Sequence, residues 1–524
     1  MTVGEFARRC GGTLVCVDSL LELTGFETDS RACGPGSLFI AIRGANVDGH
    51  DYVPALNSSP CLQGAVAAER SEDDGGSLEP NSQTRPPSPS LHSGTPPCKQ
   101  GGELGDASPS PGSQEKVSRL AGTDEVDAAS QGGEGALPVV ALTERNVGDY
   151  PQIVVDSVVD ALARFARSKR DEFAGPVVGI TGSNGKTSAK EFCAAALSPL
   201  GPVLKSGGNR NTEYTAPLLW TEGNGDEVAA VAEMGMRGKG QIRHLAQFTQ
   251  PTVALITMIG TAHVEMVGSR EGIAAAKAEI FEALKPGGAV VLWREDDFYN
   301  DLRQRAGDHP VVTFGFSPDA DVRVLGYRAE TLERSVVMIQ VNGQPHECIL
   351  PTIGRHQALN AAAAVAVAIQ CGVEPAAACA AIRTAKLPPM RMETRPLRGA
   401  TLLLDNYNAS PDSTVAALQT LRELPAKGEK WAILGEMKEL GDFSESGHRM
   451  VGKALAEFPV QHVVFLGEMT RYMEDEAVGI GFPKGSIERV ASVEELAQIL
   501  DDVADGDLVL MKGSRALGME RALQ

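Results

Sequence analysis

Seven residues, Thr181-Gly182-Ser183-Asn184-Gly185-Lys186-Thr187, stand between an apolar run and a segment with helical spacing. Glycines in such a loop let backbone N–H groups turn inward onto phosphate oxygens, and the helix N-terminus that follows adds favourable partial charge. Gly182, Ser183, Asn184 and Gly185 would cradle the phosphates, Lys186 would meet the β and γ groups, and the Thr187 hydroxyl would hold Mg²⁺. One departure from the general phosphate-loop pattern is present: Ile180 stands where a glycine is usual, and the glycines fall at Gly179, Gly182 and Gly185. A glycine-rich turn with no ligand is the plainer alternative, and the strand–loop–helix setting weighs against it.

Other chemically capable residues lie downstream. Glu233 closes the apolar run 228–232, and a carboxylate at the C-terminal end of a parallel strand sits where a nucleotide's metal would be. Taken alone it is a solvated strand end. His263 follows the run 257–262; alone it reads as a hydrogen-bonded structural residue, and with Glu233 and Thr187 it completes a metal site, although Mg²⁺ prefers oxygen. Lys277, in Ala275-Ala276-Lys277-Ala278-Glu279, reads by its neighbours as a surface lysine. Arg391 follows Leu387-Pro388-Pro389, where prolines make a hinge beside it; a solvated linker arginine is the bland alternative. Asp405 ends a strand, a position suited to ribose hydroxyls.

The elements that must hold these groups follow from the pattern. From residue 175 onward, apolar runs at 177–181, 228–232, 253–257 and 289–292 alternate with helical segments such as 188–197 and 271–284. That alternation predicts a parallel sheet covered on both faces. A second doubly wound unit begins near residue 390, with strands expected at 402–405, 431–434, 462–466 and 508–511. The first part of the chain predicts strands at 38–42 and 153–155 and a helix over 156–170. A further strand comes from either 64–70 or 139–145, which fit equally well. Residues from about 70 to 136 are rich in Ser, Pro, Gly, Glu and Asp and are expected to form a disordered insertion. The fold class expected is α/β in three domains: 1–174 with the insertion, 175–388 and 389–524.

Composition sets limits on partners. The 524 residues carry a net charge of −20, a field that repels nucleic acid and anionic membrane. Nine scattered cysteines without regular spacing argue against a disulfide framework and for a reducing compartment. The first ten residues lack the apolar core of a secretory signal, and no apolar run reaches the length of about 18 residues that a membrane span needs. A monomer in the cytoplasm is expected.

The order of the motifs resembles the Mur ligase family. The phosphate loop, Gly208-Asn209-Arg210-Asn211, Glu233-Met234-Gly235, Ala262-His263, Ala276-Lys277-Ala278-Glu279 and Gly354-Arg355-His356-Gln357 with Asn360 occur in the family's sequence. The likeness covers nearly the whole chain except the insertion, and the shared order is far more specific than any one motif. It implies an N-terminal α/β UDP-binding domain, a central parallel-sheet P-loop ATPase domain and a C-terminal Rossmann-like domain that closes over the site. It implies that Lys186 and Thr187 serve ATP, Glu233 and His263 serve Mg²⁺, Asn360 lies near the adenine, and Arg391 reaches the γ-phosphate. Lys277 matches a lysine that the family carbamylates with CO₂. Ser30 and Arg31, within Thr28-Asp29-Ser30-Arg31, match residues that offer a hydroxyl and a cation to uridine diphosphate, although each alone is an ordinary turn residue.

Asn209 and Asn211 are carried over as substrate residues, as are Tyr407, Asn408 and Ser410 in Asp405-Asn406-Tyr407-Asn408-Ala409-Ser410-Pro411. That segment, with 435–441, His448 and Lys512-Gly513-Ser514-Arg515, resembles the family branch that adds D-alanyl-D-alanine to UDP-N-acetylmuramoyl-tripeptide. Two rivals stand beside it: a related amide ligase with another amine acceptor, such as a folylpolyglutamate synthetase, and an inactive nucleotide-binding scaffold.

Overall fold

The computed structural model describes residues 1–44, 47–56 and 137–524. The expected insertion at 70–136 and the candidate strand at 64–70 lie outside the described residues. The chain divides into two compact units, one of 14–154 with Thr2 and the other of 3–13 and 155–524 with Met1.

The smaller unit is built on a five-stranded sheet in the order Thr13–Val15, Gln152–Val154, Val140–Thr143, Ser37–Ile40, Gly25–Glu27. Ser37–Ile40 and Val140–Thr143 are buried throughout and pair in parallel, Leu38 opposite Val140. Of the two sequence alternatives for this strand, the one beginning at 139 therefore enters the sheet.

The larger unit holds two sheets. Nine strands make the first, in the order Gln344–Leu350, Ser335–Val341, Val322–Ala329, Val311–Gly315, Ala289–Trp293, Val253–Ile256, Val177–Thr181, Ala229–Glu233, Val203–Lys205. The inner strands are continuous apolar runs because helices cover both faces. On one face, helices Lys186–Leu197 and Arg355–Gln370 pack into a shared core in which Ala361 to Ala368 are all fully buried. Small side chains let two helix backbones and a sheet approach closely, which suits this alanine-rich run to the shared core.

This sheet departs from the all-parallel expectation at one edge. Ser335–Val341 runs antiparallel to both neighbours, and its residues alternate between buried and half-buried. One face packs on the core and the other faces water, as antiparallel edges permit. The turn between it and Gln344–Leu350 is Asn342-Gly343, both at positive φ (49° and 78°), the pairing a two-residue hairpin requires.

The second sheet has six strands in the order Glu393–Leu397, Ala400–Leu404, Leu508–Lys512, Lys430–Gly435, His462–Leu466, Ile487–Val490. All pair in parallel except the first two. The two sheets thus form two lobes of one compact unit.

Candidate active site

Three adjacent strands of the nine-stranded sheet end at one level. Thr181 lies opposite Ile256, and Ile180 lies opposite Glu233. Chain order reverses across these strands, so their carboxyl ends open onto a crevice of the kind that binds nucleotides in doubly wound sheets. The loop after Thr181 turns sharply there. Gly182 sits at φ 152° against the Thr257 hydroxyl, which a Cβ would overlap. Gly185, at φ 82°, opens the helix that Lys186 begins.

Burial and partners then define the site. The Lys186 ammonium donates to the carbonyls of Gly182 (2.7 Å) and Ser183 (3.3 Å). Burial lowers its pKa, the nearby Glu233 carboxylate works in the other direction, and Arg391 lowers it further. The Thr187 hydroxyl donates to Glu233 Oε1 at 3.3 Å, and Asn211 Nδ2 donates to the same oxygen at 2.8 Å. Asn209 Oδ1 accepts from Asn211 Nδ2 at 2.8 Å. Asn360 is buried beside the loop, donating to Gln357 Oε1 at 3.1 Å, and a Cβ on Gly185 would come within 2.7 Å of its Oδ1.

Three buried oxygens in this cluster accept no hydrogen bond from the protein: Thr181 Oγ1, Ser183 Oγ and Glu233 Oε2. Oxygens held dry without a partner are costly unless a ligand or cation completes them, so the residues fit a phosphate compound with a hard cation. Among the described residues no group of three or more His, Cys, Asp or Glu could hold a metal by itself. A cation here would draw on the Thr187 hydroxyl, the Glu233 carboxylate, phosphate and water, a mixed oxygen set that suits Mg²⁺, with the His263 imidazole as an added nitrogen donor.

The opposite lobe reaches into this crevice. Arg391 Nη2 donates to Thr187 Oγ1 at 3.0 Å, and the guanidinium stacks 4.3 Å from the centre of the Tyr407 ring. Ser410 caps helix Pro411–Glu423, and its hydroxyl donates to Asn184 Oδ1 at 3.0 Å. Asp412, in the first turn of that helix, accepts from both the N–H and the hydroxyl of Thr261 at 3.1 Å. Gly260 makes room, since a Cβ there would lie 2.5 Å from Asp412 Oδ2. His263 Nδ1 lies 2.9 Å from Glu439 Oε2. Burial lowers the His263 pKa, partly offset by Glu439 and reinforced by Lys186 and Lys277.

Lys277 is not the surface lysine its neighbours suggested. It is 1 % exposed, and burial pushes its pKa well below the ordinary lysine value, with Lys186 adding repulsion. Asp405 accepts from Lys512 at 2.6 Å and from the Met392 N–H at 3.1 Å. Asn408 is exposed, and its carbonyl accepts from Lys512 at 3.1 Å.

Ser30 and Arg31 lie in the smaller unit on a single helical turn capped by Asp29, to which the Arg31 guanidinium is bonded at 2.7 Å.

Two contributors escaped sequence reasoning. Lys190 is fully buried, donates to the carbonyls of Ser206 (2.7 Å) and Gly208 (3.0 Å), and lies 4.0 Å from Glu233 Oε2. It therefore fixes the loop that carries Asn209 and Asn211. Its signal was its place four residues after Lys186, on the same face of a buried helix. Asp412 was visible only as a helix-start acid, a pattern common to many helices.

Comparison with known proteins bears on the same residues. Residues 180–368 match the Mur ligase middle domain, 390–515 the Mur ligase glutamate ligase domain, and 22–77 the Mur ligase family catalytic domain. The chain is 32% identical over 417 residues to the UDP-N-acetylmuramoyl-tripeptide--D-alanyl-D-alanine ligase of Bacillus subtilis, covering 78% of this chain and 88% of that one. It resembles the crystal structure of MurF ligase from Thermotoga maritima in complex with ADP, at 26% identity, a TM-score of 0.68 and 97% coverage of both chains. A crystal structure of MurF from Acinetobacter baumannii shares the fold, with a TM-score of 0.75 at 24% identity over 100% of this chain and 97% of that one.

Proposed function

The chain belongs to the Mur ligase family, and on that premise we propose that it joins D-alanyl-D-alanine to UDP-N-acetylmuramoyl-tripeptide at the expense of ATP, in the synthesis of peptidoglycan precursors. The similarity that spans 88% of the Bacillus subtilis ligase carries the choice of substrates. The connected set of Lys186, Thr187, Glu233 and Arg391 supports the chemistry.

A carboxylate resists attack by an amine because its charge is spread over two oxygens. The peptide's terminal carboxylate oxygen bonds to the γ-phosphorus of ATP, the bond to the β-phosphate oxygen breaks, and ADP leaves with the electron pair. Lys186 and Arg391 neutralise the charge that gathers on the transferred group. The dipeptide amine then attacks the acyl carbon and loses a proton, and the tetrahedral adduct expels inorganic phosphate. Thr187, Glu233 and His263 would hold Mg²⁺, which when bound would supply further neutralisation of phosphate charge. Gly182, Ser183, Asn184 and Gly185 position the phosphates, Asn360 the adenine, and Asp405 the ribose. Tyr407, Asn408 and Ser410 line the acceptor's side, Asn209 and Asn211 hold Glu233 in place, and Ser30 and Arg31 take the uridine diphosphate end.

Burial at Lys277 favours the neutral amine, which is the form that attacks CO₂. Nitrogen bonds carbon, one N–H proton passes to water, and a carbamate replaces the neutral amine. The product is a buried carboxylate where a cation would otherwise repel Lys186. Substrates made from cytoplasmic nucleotides put the reaction in the cytoplasm, with the chain acting as a monomer. No helix among the described residues is long and apolar enough to cross a membrane.

The test is ADP release with UDP-N-acetylmuramoyl-tripeptide present. D-Alanyl-D-alanine should stimulate it while single amino acids do not. Stimulation by glutamate or a diamino acid instead would assign a different acceptor, and ATP binding without release under any acceptor would indicate a scaffold.

A further inference from the structure

We propose that Glu439 is a positioning residue for His263: from the opposite lobe its carboxylate holds the imidazole at Nδ1, so that Nε2 is the nitrogen offered to a metal ion. The proposal rests on the reading of His263 as a metal-site residue.

The contact is built from both sides. His263 Nδ1 and Glu439 Oε2 lie 2.9 Å apart. Both residues have left-handed backbones, at φ 65° and 64°, although neither is glycine. The loop bearing Glu439 is fastened within its own lobe. His448, fully buried, accepts from the Met437 N–H at 3.0 Å through Nε2 and donates to the Ser444 carbonyl at 2.6 Å through Nδ1. The Lys438 N–H donates to Ser514 Oγ at 2.9 Å. Two residues beyond Glu439, Gly441 lies against Glu265, where a Cβ would come within 2.9 Å of Glu265 Cγ.

Such an arrangement is poorly explained as a stability device. The Glu439 side chain is 44 % exposed, and an exposed ion pair returns little. Two left-handed non-glycine backbones cost more than that return. The cost is understandable if the imidazole must be aimed. A histidine that ligates a metal nearly always gives its other ring N–H to a carboxylate or carbonyl, which selects the tautomer and fixes the ring plane. Here the carboxylate comes from the other lobe. Orientation of His263 is therefore complete only when the lobes meet, and lobe closure and metal binding favour each other.

The experiment measures Mn²⁺ affinity by electron paramagnetic resonance, with a non-hydrolysable ATP analogue bound to the full-length protein. Wild type is compared with Glu439→Ala, Glu439→Gln, His263→Ala and the double variant Glu439→Ala/His263→Ala. Glu439→Ala should weaken Mn²⁺ binding by about tenfold or more, leave metal-free analogue binding unchanged, and add nothing to His263→Ala in the double variant. Should Glu439→Ala lose its folded transition, the isosteric Glu439→Gln carries the same comparison, with a smaller loss expected because its amide oxygen still accepts. Wild-type Mn²⁺ affinity in the Glu439 variants, alongside a loss in His263→Ala, would overturn the proposal and leave the metal role of His263 standing. A fully additive loss in the double variant would also overturn it. Wild-type affinity in His263→Ala would remove the metal role itself, and the proposal with it.

Discussion

Lys277 shows how a residue's chemistry can be invisible in its neighbours. Its helical segment, Ala275 to Glu279, reads as amphipathic surface, and only tertiary packing takes the lysine to 1 % exposure. A depressed folded pKa means that between that pKa and the ordinary value of 10.5 the unfolded chain holds an extra proton. Stability therefore rises with pH through that window, and below the folded pKa the burial penalty is fully present. In CO₂-free buffer, Lys277→Met should raise the unfolding midpoint at neutral pH, with the gain shrinking as pH approaches 10.5, while ligation is lost. A variant less stable than wild type at neutral pH would argue that the ammonium is held by partners after all. Removing CO₂ from the wild-type protein should likewise lower the ligation rate, and added bicarbonate should restore it. By contrast Lys186 and Thr187 were legible as motif members, since the loop's residue types have one dominant use, and Asn360 was singled out only by the family resemblance.

At the scale of elements, the inner strands were readable because parallel strands covered on both faces are plain apolar runs. The segments 177–181, 253–257 and 289–292 correspond to Val177–Thr181, Val253–Ile256 and Ala289–Trp293. The antiparallel hairpin was passed over although its turn, Asn342-Gly343, carries a strong local signal. Its alternating residues contribute a face rather than a run, and the alternation of strand and helix elsewhere set the expectation. The phosphate loop depends on Gly182 in the same local way. Gly182→Ala would push against Thr257, and ATP-analogue affinity measured by calorimetry should fall by about tenfold or more, in line with the cost of a strained, displaced loop. Unchanged affinity would show that the loop has another way to turn. Ser410→Ala removes both a helix cap and the bond to Asn184, so a loss of about 1 kcal/mol in stability is expected from the cap alone, with a larger fall in ligation rate than that stability change explains.

At the largest scale, the two lobes of the larger unit meet across the crevice. Arg391 to Thr187, Ser410 to Asn184, Asp412 to Thr261 and Glu439 to His263 all join the six-stranded lobe to the crevice of the nine-stranded one. An acyl phosphate must be kept from water, and meeting lobes provide that exclusion. Arg391→Ala should lower kcat by about 10²- to 10³-fold, the usual cost of removing one donor from developing charge, while ATP-analogue affinity falls far less; equal losses in both would make Arg391 a binding residue only. Sequence could place Arg391 beside a proline hinge, yet the contacts across the crevice depend on three-dimensional closure that no local pattern encodes.

The most direct measurement follows an oxygen. UDP-N-acetylmuramoyl-tripeptide labelled with ¹⁸O in its terminal carboxylate is turned over with ATP and D-alanyl-D-alanine, and the released phosphate is analysed by mass spectrometry. Transfer of the γ-phosphoryl group to that carboxylate requires one labelled oxygen to appear in inorganic phosphate for each amide formed. Label-free phosphate, or label recovered in AMP, would contradict it.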